Sequence, residues 1–102
     1  LTHAAHREML EETGYDAPRA IRIGSVTPNP AFMSNCCHTF LAPHAEYARG
    51  QNQYSGEDIE VVLVPLNDIP ELVANGAISH GLIVAAVYQF QIYREKNPDW
   101  NA

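Results

Sequence analysis

The sequence predicts an α/β fold of the α+β kind, in which a mixed sheet carries helices on both faces. Three observations predict it. Apolar residues recur at helical spacing at both ends of the chain, over 1–13 and 79–95. Between them lie three short runs, at 20–27, 35–41 and 59–64, where apolar residues alternate with polar ones or β-branched residues gather. Prolines and glycines stand at the joins, so each run has its own start and stop.

The first helix, 1–13, stops at Gly14, because the residue after a helix commonly needs the left-handed conformation that glycine reaches without strain. Met9 and Leu10 face a sheet, and His3 and His6 lie off the acidic side as surface or half-buried side chains. In 20–27, Ile21 and Ile23 alternate with Arg22 and Gly24, and Pro28-Asn29-Pro30 ends the strand. The run 35–41 puts Cys36, His38 and Phe40 on one face and Cys37, Thr39 and Leu41 on the other, and Pro43 follows. A long polar stretch, 44–58, is of the length that compact domains keep for function or leave disordered. The run 59–64, Ile-Glu-Val-Val-Leu-Val, predicts a central strand. Asp68-Ile-Pro-Glu71 reads as a capping box opening a short helix that ends at Gly76. Ser79 is then the expected cap of a longer helix to Glu95, with Arg94 and Lys96 at the end the dipole favours and Pro98 beyond it.

At 102 residues, 46% hydrophobic and 18% charged, the chain has the composition of one globular domain, 1–102, with a modest core. A formal net charge of −6 argues against a nucleic-acid partner. The longest apolar run, Leu82 to Val87, is far below the ~20 residues of a membrane span, which predicts no membrane partner. The two cysteines, Cys36 and Cys37, are adjacent and read as strand residues pointing to opposite faces, and a reducing cytoplasm is the expected compartment.

The stretch Arg7-Glu-Met-Leu-Glu-Glu-Thr-Gly-Tyr15 carries the chemistry. Glu8 and Glu12 are i,i+4 neighbours and Glu8 and Glu11 are i,i+3 neighbours, so the three carboxylates share one side of the helix, with Arg7 placed to brace Glu11. They crowd the end where the macrodipole is negative, and each is unfavourable there by ~0.3–1 kcal/mol. A divalent cation would reverse that balance. Mg²⁺ takes oxygen ligands from a few carboxylates, substrate phosphates and water. A solvated acidic face is the simpler alternative.

Arg7-Glu-Met-x-Glu-Glu-x-Gly-Tyr15 resembles the second half of the Nudix box, G-x5-E-x7-R-E-U-x-E-E-x-G-U with U apolar, and Ala4-Ala5 stand where that family has small residues. The first half is absent: its glutamate would fall two residues before Leu1 and its glycine eight before. Gly24-Ser-Val-Thr-Pro-Asn-Pro-Ala-Phe-Met33, His38-Thr-Phe-Leu-Ala42 and Glu57-Asp-Ile-Glu-Val-Val-Leu-Val-Pro-Leu66 look like the ADP-ribose pyrophosphatase branch of the family. The resemblance implies an α/β/α sandwich lacking its N-terminal strands, and attack of water on a diphosphate joining a nucleoside to another group, with Mg²⁺ or Mn²⁺ as cofactor. It implies Glu8, Glu11 and Glu12 as metal ligands, Glu57 as a distal acidic ligand, and Arg7 as the residue orienting them. Pro30, sixteen residues after Gly14, stands near the branch's marker proline. Phe32, Tyr47 and Tyr54 are candidates for stacking on a base or for packing. Where the branch often has its catalytic glutamate this chain has Ser55, which leaves proton acceptance to Glu8, Asp58 or Glu60, or hydrolysis slow. Missing strands would expose a sheet edge, so a homodimer is expected. The implied substrate is ADP-ribose or a nucleotide sugar. The alternative is a catalytically impaired fragment of the same fold acting as a binding or assembly module.

Overall fold

The computed structural model describes residues 1–31, 34–48 and 60–100. The architecture is mixed α+β, with small antiparallel sheets and three α-helices among the described residues. The elements run α1 (Thr2–Thr13), β1 (Tyr15–Asp16), β2 (Ile21–Val26), β3 (Cys37–Leu41), β4 (Glu46–Tyr47), a 3₁₀ turn (Leu66–Asp68), α2 (Ile69–Ala74) and α3 (Gly81–Lys96). Two two-stranded sheets form, β1 with β4 and β2 with β3. The chain divides into two compact units, one from Leu1–Arg22 and Phe40–Val62, the other from Ile23–Thr39 and Leu63–Trp100.

In the first unit, α1 ends where the glycine predicts. Gly14 has φ 79°, the left-handed region, and its N–H donates to the Leu10 carbonyl at 2.9 Å. Its own carbonyl accepts the Ala48 N–H at 2.8 Å, so the residue that stops the helix also begins the β1–β4 ladder. That ladder pairs Tyr15 with Tyr47 and Asp16 with Glu46. The two tyrosine rings meet edge to face at 5.8 Å, a favoured arrangement for aromatic quadrupoles. The Thr13 hydroxyl donates to the Met9 carbonyl at 2.6 Å and accepts from the Tyr15 N–H at 3.1 Å, tying the last turn to the first strand residue. Ala17, just after β1, is 7% exposed, and Pro43 is buried in the same unit.

In the second unit, the Gln89 side chain of α3 reaches β2 at Gly24. A β-carbon there would come within 2.4 Å of it, so the glycine leaves room for that amide. At the far end of α3, Phe90 and Trp100 pack edge to face at 5.1 Å, and the Arg94 guanidinium lies over both rings at 5.4 and 5.5 Å. Gly76, φ 85°, follows α2, and the Ile78 N–H returns to the Leu72 carbonyl at 2.9 Å.

Three sequence expectations are corrected. Residues 60–64, the described part of the strand expected at 59–64, are neither helix nor strand, and Val61, Val62, Leu63 and Val64 are exposed. Asp68 makes no side-chain cap, because the 3₁₀ turn before α2 has already placed it in helical conformation at φ −86°, ψ −13°, whereas a cap needs an extended residue. His80, extended at φ −67°, ψ 125°, caps α3 in place of Ser79, its Nδ1 accepting the Leu82 N–H at 3.1 Å. Of the two cysteines expected in a strand, Cys37 opens β3 and Cys36 precedes it, exposed; both thiols are free.

Candidate functional site

The carboxylates of α1 lie in its last turns, as the spacing predicts, and that end of the helix has no basic residue. Glu8 and Glu12 are exposed, Glu11 is half-buried and Arg7 is exposed. Arg7 makes no ion pair with Glu11, so the expected brace is absent. Glu12 does have an interaction partner. Pro30 sits in an exposed turn after β2. Glu57, Phe32, Tyr54, Ser55 and Asp58 fall outside the described residues. Tyr47 is occupied in packing against Tyr15, which is the second of the two roles its sequence position allowed.

Whether these residues suit a divalent cation is tested by the donor set itself. Among the described residues, no group of three or more His, Cys, Asp or Glu side chains is arranged to hold a metal ion. Glu8, Glu11 and Glu12 share a helix side without converging on a point. Same-side residues on a helix are ~5–6 Å apart at Cβ, and like charges at that spacing repel. As described, the three glutamates do not fit a cation.

Sequence reasoning missed two side-chain pairs. The His6 imidazole Nε2 bonds the Asp16 carboxylate, linking α1 to β1, and the same Asp16 oxygen accepts the Ala17 N–H at 2.9 Å. His6 leaves the helix on the side away from the glutamates, so this pair anchors the helix and does not join the acidic side. Ser25 Oγ lies 2.6 Å from His38 Nδ1, between β2 and β3. No local pattern signals either pair: the partners are ten and thirteen residues apart and meet only through the fold.

Clefts are also present among the described residues. One, of about 390 Å³, is bordered in the first unit by Asp16, Ala17, His44, Glu46 and Tyr47. Its two carboxylates oppose an anionic diphosphate. Another, of about 540 Å³, lies in the second unit between the 3₁₀ turn, α2 and α3, where Leu66, Ile69, Val87, Phe90 and Trp100 form apolar walls. Arg94 and Glu95 on its border balance in charge, and Arg94 is already placed over the rings.

Comparison with known proteins adds an independent finding. The chain is 29% identical over 91 residues to proteins named GDP-mannose pyrophosphatase from Escherichia coli O1:K1 / APEC, from Shigella flexneri serotype 5b (strain 8401) and from Shigella dysenteriae serotype 1 (strain Sd197). Each match takes in 84% of this chain and 46% of the relative. The chain thus spans about half the length of the curated relatives it matches. No family model matches it.

Proposed function

We propose that this chain is the box-helix portion of a Nudix-type hydrolase that splits the pyrophosphate of a nucleoside-diphosphate-linked compound, a nucleotide sugar such as GDP-mannose or the related ADP-ribose. The observation that carries the reading is the stretch Arg7–Tyr15, whose Arg-Glu-x-x-Glu-Glu-x-Gly pattern ends in a left-handed glycine cap. The likeness to proteins named GDP-mannose pyrophosphatase supports it from a separate direction.

In the reaction, a water oxygen bonds to one phosphorus while the bond from that phosphorus to the bridging oxygen breaks. The bridging oxygen leaves on the second phosphate, giving a nucleoside monophosphate and a sugar phosphate, and the water's protons pass to a base and to solvent. Within this chain, Glu8 and Glu12 are assigned to the reacting centre with Arg7 beside them, and Glu11 supports the same site. Glu57, Pro30 and Phe32 are assigned to ligand contacts. Dependence on Mg²⁺ or Mn²⁺ belongs to the proposal, with the further donors coming from outside the three α1 glutamates. The expected setting is the α/β/α sandwich that the resemblance implies, in a cytoplasmic enzyme.

A second reading is favoured by one observation, the failure of Glu8, Glu11 and Glu12 to form a cation-holding group. It makes the chain a binding module of the same family without turnover. Release of GMP and mannose 1-phosphate from GDP-mannose, and of AMP and ribose 5-phosphate from ADP-ribose, with Mg²⁺ present, separates the two. The hydrolase reading expects turnover that Glu12→Gln lowers by ~10²-fold or more. Turnover indifferent to that change would remove α1 from the chemistry. Binding of GDP-mannose without turnover would establish the module.

A further inference from the structure

The cleft of about 540 Å³ between the 3₁₀ turn, α2 and α3 has the volume of a small-molecule site. Leu66 and Ile69 reach it from the turn and α2, Val87 and Phe90 from α3, and Trp100 from the segment after α3. Every residue bordering it belongs to the second unit, so the cleft is formed within that unit.

Its border carries a guanidinium held in place by two rings. Phe90 and Trp100 meet at 89°, and Arg94 lies over both, 5.4 and 5.5 Å from their centroids. A long side chain lodged in that corner has already lost freedom that a ligand would otherwise have to remove. Among the described residues, no oxygen accepts a hydrogen bond from the Arg94 guanidinium. Glu95, the next residue of α3, also borders the cleft, and among the described residues its carboxylate pairs with no cation, Arg94 included. One apolar cleft thus has at its edge a cation and a carboxylate, adjacent in the helix and not spent on each other.

We propose that this cleft binds a free α-amino acid with a large apolar side chain, its carboxylate on Arg94, its ammonium on Glu95 and its side chain against Leu66, Ile69 and Val87. The charges select this class. A guanidinium fork takes a carboxylate through two parallel hydrogen bonds, and a carboxylate accepts from an ammonium. A simple anion would meet Glu95 and a chain of net charge −6, and a simple cation would meet Arg94. A zwitterion avoids both penalties. The apolar walls then choose among zwitterions, because each methylene removed from water adds to binding. Arg94 and Glu95 are exposed, so water competes for them, and the dissociation constant is on the order of 10⁻³ M.

Trp100 is the single tryptophan of the chain, so its fluorescence reports on the cleft directly. The 102-residue chain is titrated with L-leucine, with glycine, with L-leucinamide, which lacks the carboxylate, with N-acetyl-L-leucine, which lacks the ammonium, and with octanoate. L-leucine is expected to give a saturable change, and glycine, the amide and the N-acetyl compound to bind about fivefold or more weakly. Arg94→Gln and Glu95→Gln are each expected to weaken L-leucine by a similar factor, and Glu95→Gln to tighten octanoate. Glu95 makes no ring contact, so that variant and the ligand series test the proposal even where Arg94→Gln loosens the rings. No saturable change by about 50 mM L-leucine overturns the proposal. Equal affinity for L-leucine, its amide and its N-acetyl derivative also overturns it, and would leave an apolar cleft without charge recognition. Octanoate binding the unmodified chain more tightly than L-leucine overturns it as well, in favour of a site for anionic amphiphiles.

Discussion

Replacing Glu11 by Gln isolates the cost of placing carboxylates at the end of α1. Glu11 is half-buried in the last turn of a helix with no basic residue there, and Arg7 does not pair with it. Removing its charge relieves an unfavourable interaction with the helix dipole of ~0.3–1 kcal/mol. It also relieves the i,i+3 repulsion with Glu8, ~0.2–0.5 kcal/mol. The side-chain shape is kept, so packing is unchanged. The variant is expected to be more stable by about 1 kcal/mol, a rise of about 4–8 °C in thermal midpoint for a chain of this size. The rise should shrink in 1 M salt, where the Debye length falls to ~3 Å. The assay is calorimetry at low and high salt, with a second arm in Mg²⁺. If the acidic side takes up the cation with a dissociation constant near 1 mM, then 10 mM Mg²⁺ stabilises the unmodified chain by about 1.4 kcal/mol and the variant by less. A variant less stable than the parent at low salt would refute the reasoning, since Glu11 would then be making a favourable contact and the helix end would not be strained by charge. Equal response of parent and variant to Mg²⁺ would take Glu11 out of any cation site.

Two further predictions rest on glycines and on one buried amide. Gly76→Ala meets no atom within 4 Å of the new β-carbon, so its cost is the left-handed backbone alone, ~1–2 kcal/mol by urea titration. Gly14→Ala carries the same backbone cost at a buried position and is expected to lose more; an equal loss would show that packing around the cap is loose. Gln89 Oε1 is buried without a hydrogen-bond partner among the described residues, so Gln89→Met, which keeps length and removes the stranded acceptor, is expected to be neutral or to stabilise by ~1 kcal/mol. A loss above ~1 kcal/mol in the same titration would mean that the amide has a partner in solution.

Local chemistry explains what the sequence revealed and what it concealed. The stop of α1 was legible because only one residue type reaches φ 79° cheaply, and Gly14 stands at that position. The two longer strands, 21–26 and 37–41, were legible to within two residues at each end because alternation and proline bracket them. The start of α3 moved by one residue because histidine also offers an acceptor, Nδ1, and the chain used His80 where Ser79 is the commoner type. The strand at 59–64 was the clearest sequence signal and is not realised over 60–64. β-propensity measures fit to a neighbouring strand and a covered face, and no described residue supplies either to that segment. The site divides in the same manner. That Glu8, Glu11 and Glu12 share one side follows from helix geometry, but their convergence depends on groups brought from elsewhere, and no spacing within α1 encodes that.

The ordering of the acidic side depends on a chain of contacts that begins outside α1. Gly14 closes the helix through its N–H and opens the β1–β4 ladder through its carbonyl, so α1 inherits its direction from the strand pair. Two further ties fix its rotation: Thr13 bridges Met9 to Tyr15, and His6 reaches Asp16. All of these act on the side of α1 turned away from Glu8, or at its end. Glu8 and Glu11 take no part in these ties, and Glu12 has an interaction partner of its own. The unfavourable charge cluster persists because the cap, the ladder and the His6–Asp16 pair hold α1 in place.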